Sequence, residues 1–220
     1  MTISSQDIRL SLRGQLLTLV VATTGAISLS VTASGYVRTS GSFVTDGFVA
    51  GMELLASGFG TGTNNGPQVI TAVTPLTLSV SGLSAEGAGA GRSLTVGVPS
   101  TRLYENLVGR PIQLKPYLQE QYAPAPPVLG SGPAAGAMVD SQGLYVATLF
   151  GVPNTGDAAA DRMADAVMAL FKPGTTLPLT SGYAVRVLQQ MPWRSQIRND
   201  DRGAPFVVVT VPWRVFSNNS

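Results

Sequence analysis

The chain has 220 residues, enough for one large domain or two small ones, with 44% apolar side chains, only 12% charged ones and a net charge of +2. It contains no cysteine and no histidine, which removes disulfides, thiolate nucleophiles, Cys/His metal sites and the side chain that most often moves protons near neutral pH. There is no Lys/Arg run, no uncharged apolar stretch of membrane-span length and no signal-peptide pattern at the start, so a folded, soluble protein made in a cytoplasm is expected, with no cofactor and no metal.

Ser4–Leu17 reads as a helix. Ile8, Leu12 and Leu16 recur at i, i+4 and i+8, and Ser4 or Ser5 can cap the start. The stretch 18–97 then changes character and is dominated by Thr, Ser, Gly and Val. Short strands are expected at 27–32, 36–38, 52–57, 68–73, 76–80 and 93–98, separated by turns such as Asp46–Gly47 and Asn64–Asn65–Gly66–Pro67. Many short strands with polar turns predict a small all-β barrel or sandwich. Gly87–Gly91 (GAGAG) reads as a flexible surface loop.

Residues 101–220 return to mixed structure. A strand is expected over 111–121, with Pro116 placing it at an edge or a bulge. The Pro/Gly-rich stretch 123–136 reads as a long exposed loop or arm. A strand around 143–150 follows, then the best helix of the chain, 157–171, stopped by Pro173–Gly174. Strands at 183–189 and 205–216 close the chain, and the valine-rich last one suits a central position buried on both sides. The fold class is therefore α+β. Residues 1–17 and 98–220 form one domain, an antiparallel or mixed sheet with two helices on one face, and 18–97 form an inserted all-β domain.

Several groups invite sharper readings. Asp157, Asp161 and Asp165 lie at i, i+4 and i+8 on one helix, which suits a metal or acid–base site but better suits a solvated helix face. Asp200 and Asp201, flanked by Arg194, Arg198 and Arg202, suggest a catalytic or phosphate cluster on one reading and a charged hairpin loop on the other. Gly58–Phe59–Gly60–Thr61–Gly62 resembles a phosphate loop but lacks the following Gly-Lys-Ser/Thr. Trp193 and Trp213 read as core or interface packing rather than stacking platforms for sugars. Lys115 and Lys172 are the only lysines. No nucleophile motif is present, and an enzyme is not expected.

Thr101–Asn106, the strand at Gly143–Val146, Pro153–Gly156 leading into the helix to Leu170, the stop Phe171–Thr175 and the closing strand Val207–Arg214 together resemble the tail terminator-like proteins of bacteriophages with long, non-contractile tails. The stretch 18–97 resembles a β-rich module inserted in phage tail proteins, through Thr39–Phe48, Ala50–Glu53, Asn64–Gly66 and Val69–Val73. The resemblance implies a virion structural protein. It would form a homo-oligomeric ring, a hexamer, at the head-proximal end of the tail tube, where it stops tube polymerisation and joins the head–tail connector. Implied partners are further copies of itself, the tube protein and the connector or stopper protein, with passive DNA contact in the lumen and no membrane.

On that reading Arg194, Arg198, Asp200, Asp201 and Arg202 are subunit-interface or lumen residues, and Pro124, Pro126, Pro127, Val128 and Leu129 belong to an arm that reaches a neighbour. Another tail structural protein (tube, connector or minor tail protein) remains as an alternative and would polymerise rather than close. A host- or carbohydrate-binding β module is a third reading, which glycan binding by 18–97 would support.

Overall fold

The computed structural model describes residues 3–103, 115–129, 138–190 and 192–218. Helix α1, Ser5–Leu17, starts where the Ser4 hydroxyl accepts the Asp7 N–H at 3.1 Å and buries Ile8, Leu12 and Leu16 as their spacing predicts. Helix α2, Ala158–Leu170, buries Ala160, Met163, Ala164 and Val167, and Phe171 behind it is fully enclosed.

Eight strands form the first sheet: β1 (Val20–Thr23), β2 (Ile27–Thr32), β3 (Gly35–Val37), β4 (Glu53–Ser57), β5 (Gly66–Val69), β6 (Ala72–Val73), β7 (Thr77–Ser79) and β8 (Glu86–Gly97). Their order is β5-β4-β8-β2-β3-β7-β6, with β1 also on β8. The expected strand at 68–73 is thus two strands, and these are the two ends of the sheet. Between them Ile70 exchanges backbone bonds with Gly51 and Met52 (2.8 and 2.9 Å), while the Thr71 N–H donates to Ser79 O at 2.9 Å. The sheet therefore curls until its ends meet around Leu29, Tyr36, Leu54, Ile70, Leu78 and Leu94.

The expected GAGAG loop is instead the first half of β8. Its glycines follow from what lies across the strand. The Arg92 side chain folds back over it, and a Cβ on Gly89 would come within 2.7 Å of the guanidinium. Gly91, at φ +76°, sits where β8 leaves β2 and continues on β4 and β1. Strand β1 also arises where the sequence pattern shows no alternation.

The second sheet holds β9 (Thr101–Leu103), β10 (Tyr117–Pro124), β11 (Val128–Leu129), β12 (Met138–Phe150), β13 (Thr176–Pro178), β14 (Ala184–Val187), β15 (Trp193–Arg194), β16 (Arg198–Asn199) and β17 (Pro205–Asn218). The order is β13-β14-β17-β12-β10-β9, antiparallel except for the parallel β9–β10 pair. The strand expected at 111–121 begins at Tyr117, just after Pro116, and 111–114 lie outside the described residues. β17 is central, as expected. Val207, Val209, Val211, Trp213 and Val215 pack under the helices, but the other side is buried only mid-strand, at Thr210 and Pro212, and Phe216 is exposed. The protein is thus α+β, with both helices on one face of this sheet. Gly143 on β12 faces Trp213, where a Cβ would meet the indole at 2.6 Å.

Candidate functional site

Arg198, Asp200, Asp201 and Arg202 sit on the hairpin between β16 and β17. The Asp200 backbone N–H donates to Ala204 O at 2.9 Å, and the Asp200 carboxylate accepts the N–H groups of Arg202 and Ala204, both at 2.9 Å. Asp200 is therefore a turn former, whose carboxylate replaces a backbone acceptor. Asp201 and Arg202 are exposed. Arg194 does not join this cluster. From β15 its guanidinium reaches across to α2, where it pairs with Asp161 and lies 3.4 Å from Asp165. The acidic stripe of α2 is thus tied to a neighbouring strand. Among the described residues no group of three or more carboxylates gathers in a way that could hold a metal.

The expected arm is partly regular structure. Pro124 ends β10 opposite Gly143, the Ala125 N–H still donates to Gln142 O at 2.8 Å, and Val128 and Leu129 pair with Asp140 and Val139. Pro126 and Pro127 interrupt the ladder because neither has an N–H to give. The segment from Pro124 to Leu129 therefore runs along the edge of β12 as a broken strand, and 130–136 lie outside the described residues. Val128 is exposed. Beside it Arg214 grips Asp140 with two parallel bonds of 2.7 and 2.5 Å, which raises the Arg214 pKa, and it lies 4.3 Å over the Phe216 ring. This fork joins β12 to β17 at the sheet's tip. It depends on strand register, so nothing in the sequence pattern marks it.

The Gly58–Gly62 loop does cradle an anion, but the anion is the protein's own. Gly60 and Thr61 donate their N–H groups to Glu86 at 2.9 and 3.1 Å, the buried Asn64 amide donates at 2.9 Å, and Arg92 pairs with the same carboxylate. The Gly60 N–H and the Asn64 amide, with Thr61 behind them, hold the Glu86 carboxyl down at about 2. Tyr36 donates to Asn64 O at 2.7 Å from the core of the same sheet, and burial pushes its hydroxyl up to about 12.

A second buried carboxylate, Glu120 on β10, accepts from Arg13 of α1 at 2.8 Å and from the Tyr145 hydroxyl at 2.9 Å. It pins α1 to the sheet. Of the two tryptophans, Trp213 is core and stacks on Tyr122 at 5.4 Å, whereas Trp193 is exposed on β15. No described helix is long and apolar enough to cross a membrane.

The carboxylates of Glu86, Glu120, Asp140, Asp161 and Asp200 are bonded within the subunit and build structure, and none of them stands as a base beside a nucleophile. The part of the chain that carries the second sheet, from Arg92 within β8 to Trp213 within β17, matches the family model described as phage tail terminator protein, over residues 92–213. The chain belongs to that family. Among curated proteins none matches. One solved chain, whose name states no function, is similar at 23% identity over 54% of this chain and 79% of its own, with a TM-score of 0.42, too low a likeness to carry an argument.

The tail terminator family is one of tail structural proteins, and this member is accordingly a bacteriophage structural protein. The matched span holds α2, Glu120 and the hairpin at Asp200. It leaves α1 and the first seven strands outside, so those elements have no family counterpart in the match.

Proposed function

We propose that this protein is the tail terminator subunit itself. It forms a closed hexameric ring on the head-proximal end of the tail tube, stops tube polymerisation there and joins the tail to the head–tail connector. The observation that carries this reading is the family match over residues 92–213, which spans the helix-covered second sheet. The chain's physical character supports it. Only 12% of residues are charged, and several large apolar side chains are exposed, among them Leu144, Trp193 and Phe216 on the second sheet. Such surfaces favour packing against other copies.

Within the ring, the hairpin carrying Arg198, Asp200, Asp201 and Arg202 faces a neighbour or the lumen, where passive contact with DNA falls to its arginines. The broken edge strand with Pro124, Pro126, Pro127, Val128 and Leu129 reaches the next subunit, its prolines limiting the freedom lost on contact. Sedimentation of the purified protein, with negative-stain imaging of isolated tails labelled for it, tests the reading. A closed oligomer and a single label at the head-proximal end support it; label along the whole tube contradicts it.

The seven strands outside the family match favour a second reading, in which the chain is a tube, connector or minor tail protein. Growth of the purified chain into open tubes identifies that case.

A further inference from the structure

The helices cover one face of the second sheet, and the opposite face carries an open groove. Leu144 and Pro212 are register partners there, as are Arg214 and Arg186; the first pair and, with Phe216, the second line two depressions that adjoin at Leu188, along β12, β17 and β14. Leu144 is 37% and Phe216 42% exposed. Arg214 is held by Asp140, but Arg186 stands directly across the ladder from Arg214, is exposed, and has no ion-pair partner among the described residues. Like charges directly opposite each other on neighbouring strands are destabilising, and one more carboxylate would relieve the pair.

The other side of the subunit supplies a complementary shape. α1 buries Ile8, Leu12 and Leu16, and directly opposite them it presents Leu10, Gly14 and Leu17 at i, i+4 and i+7. Leu10 is 49% and Leu17 48% exposed. Nothing lies within 4 Å of where a Cβ on Gly14 would be, so the middle of this stripe admits close approach. Asp7 lies at the start of this face, half-buried, and its carboxylate also accepts the Thr180 N–H of the same subunit at 3.4 Å. A helix covering a sheet needs only one apolar stripe. A second one, led by a carboxylate, matches what the groove lacks: apolar side chains over Leu144, Pro212 and Leu188, and a negative charge at Arg186.

We propose that the groove receives α1 of a second copy of this chain, with Leu10 and Leu17 entering the apolar part and Asp7 meeting Arg186. This assignment rests on the ring reading above and names its contact. The two surfaces lie on opposite faces of one subunit, so each copy offers α1 to one neighbour and its groove to the other. Such a head-to-tail contact forms a ring when its rotation closes. It is recognition of an amphipathic helix in a groove, read through anchors one and two turns apart.

The chain has no cysteine, so introduced thiols report on this contact alone. The Leu10→Cys, Leu144→Cys double variant should give, on mild oxidation, a ladder of covalent oligomers ending at the ring's full size, whereas neither single variant gives a ladder. Asp7→Arg should weaken association at least tenfold by sedimentation, beyond the small loss of melting temperature that giving up the first-turn carboxylate and its Thr180 contact brings, and adding Arg186→Asp should restore the association. A wild-type ring that yields no ladder and is indifferent to Asp7→Arg overturns this contact and leaves the ring reading standing. A wild-type chain that is monomeric at every concentration and absent from tails removes both. If Asp7→Arg lowers the melting temperature and Arg186→Asp does not rescue assembly, the effect is on the helix start and the proposed pairing is wrong.

Discussion

In the first sheet the chain between β5 and β6 ties the two ends together through Ile70 and Thr71, and its Gly-rich loop is filled by Glu86 from within the same sheet. In the second sheet one face is sealed by α1 and α2, but the other carries exposed Leu144 and Phe216 and an arginine standing against an arginine. The first region satisfies its Gly-rich loop from within, although Val20, Val44, Leu55 and Leu76 stay exposed on it; the second sheet is covered by helices on one face only. The open sheet face, though not α1, lies within the span shared with the tail terminator family, and an apolar face of this kind suits assembly.

Changes under the helices should break the second sheet. Trp213 is 1% exposed, and Trp213→Ala should lower stability by about 3–5 kcal/mol in denaturant unfolding. A loss below about 1 kcal/mol would show that the sheet's core is not organised around it. Next in size, Arg13→Ala leaves Glu120 charged and buried and should cost about 3 kcal/mol. Adding Glu120→Gln should recover part of that loss, and no recovery would mean that Arg13 acts by packing alone.

The first sheet should be sharpened by acid rather than by truncation. The folded-state value of Glu86, about 2, lies below its ordinary 4.5, so its contribution is fully present above pH 4.5 and is lost as pH falls from there through about 2. Glu86→Gln should remove that part of the acid dependence, as read by melting temperature between pH 5 and pH 2; an unchanged profile would show that the cradle does not hold the charged form. The smallest effect on stability should come from the open face. Leu144→Ser should change unfolding free energy by about 1 kcal/mol, since part of that side chain is covered. It should still weaken association measurably, and if it unfolds the chain instead, that face is core and not interface.

Local pattern made both helices legible, since Ile8, Leu12, Leu16 and Ala160, Ala164, Val167 are each spaced to one helical face and each set is buried. Strands with clear alternation or a valine run, such as 27–32 and 205–216, were equally readable. The strands that were missed have pairing reasons that are not local. Only the first half of β8 looks like a loop, because its glycines serve a side chain, Arg92, that folds back across them, while its second half was expected as a strand at 93–98. β13, β15 and β16 are two or three residues long and exist only because a neighbouring strand is there to pair with.

The site was legible to a similar depth. The charged hairpin at Asp200 could be placed from its turn residues, but Arg194 could not be separated from it, because its partners Asp161 and Asp165 lie on a helix brought close only by the fold. The arginine pair at 186 and 214 needs a strand register that no single segment encodes.

The most direct measurement is the mass of the purified full-length chain in solution across a wide concentration range, by native mass spectrometry or sedimentation. Subunits built to close on one another through the open sheet face should give one discrete oligomer that persists on dilution and grows no further at high concentration. A strictly monomeric chain that is also missing from assembled tails, or one that lengthens without limit, would contradict it.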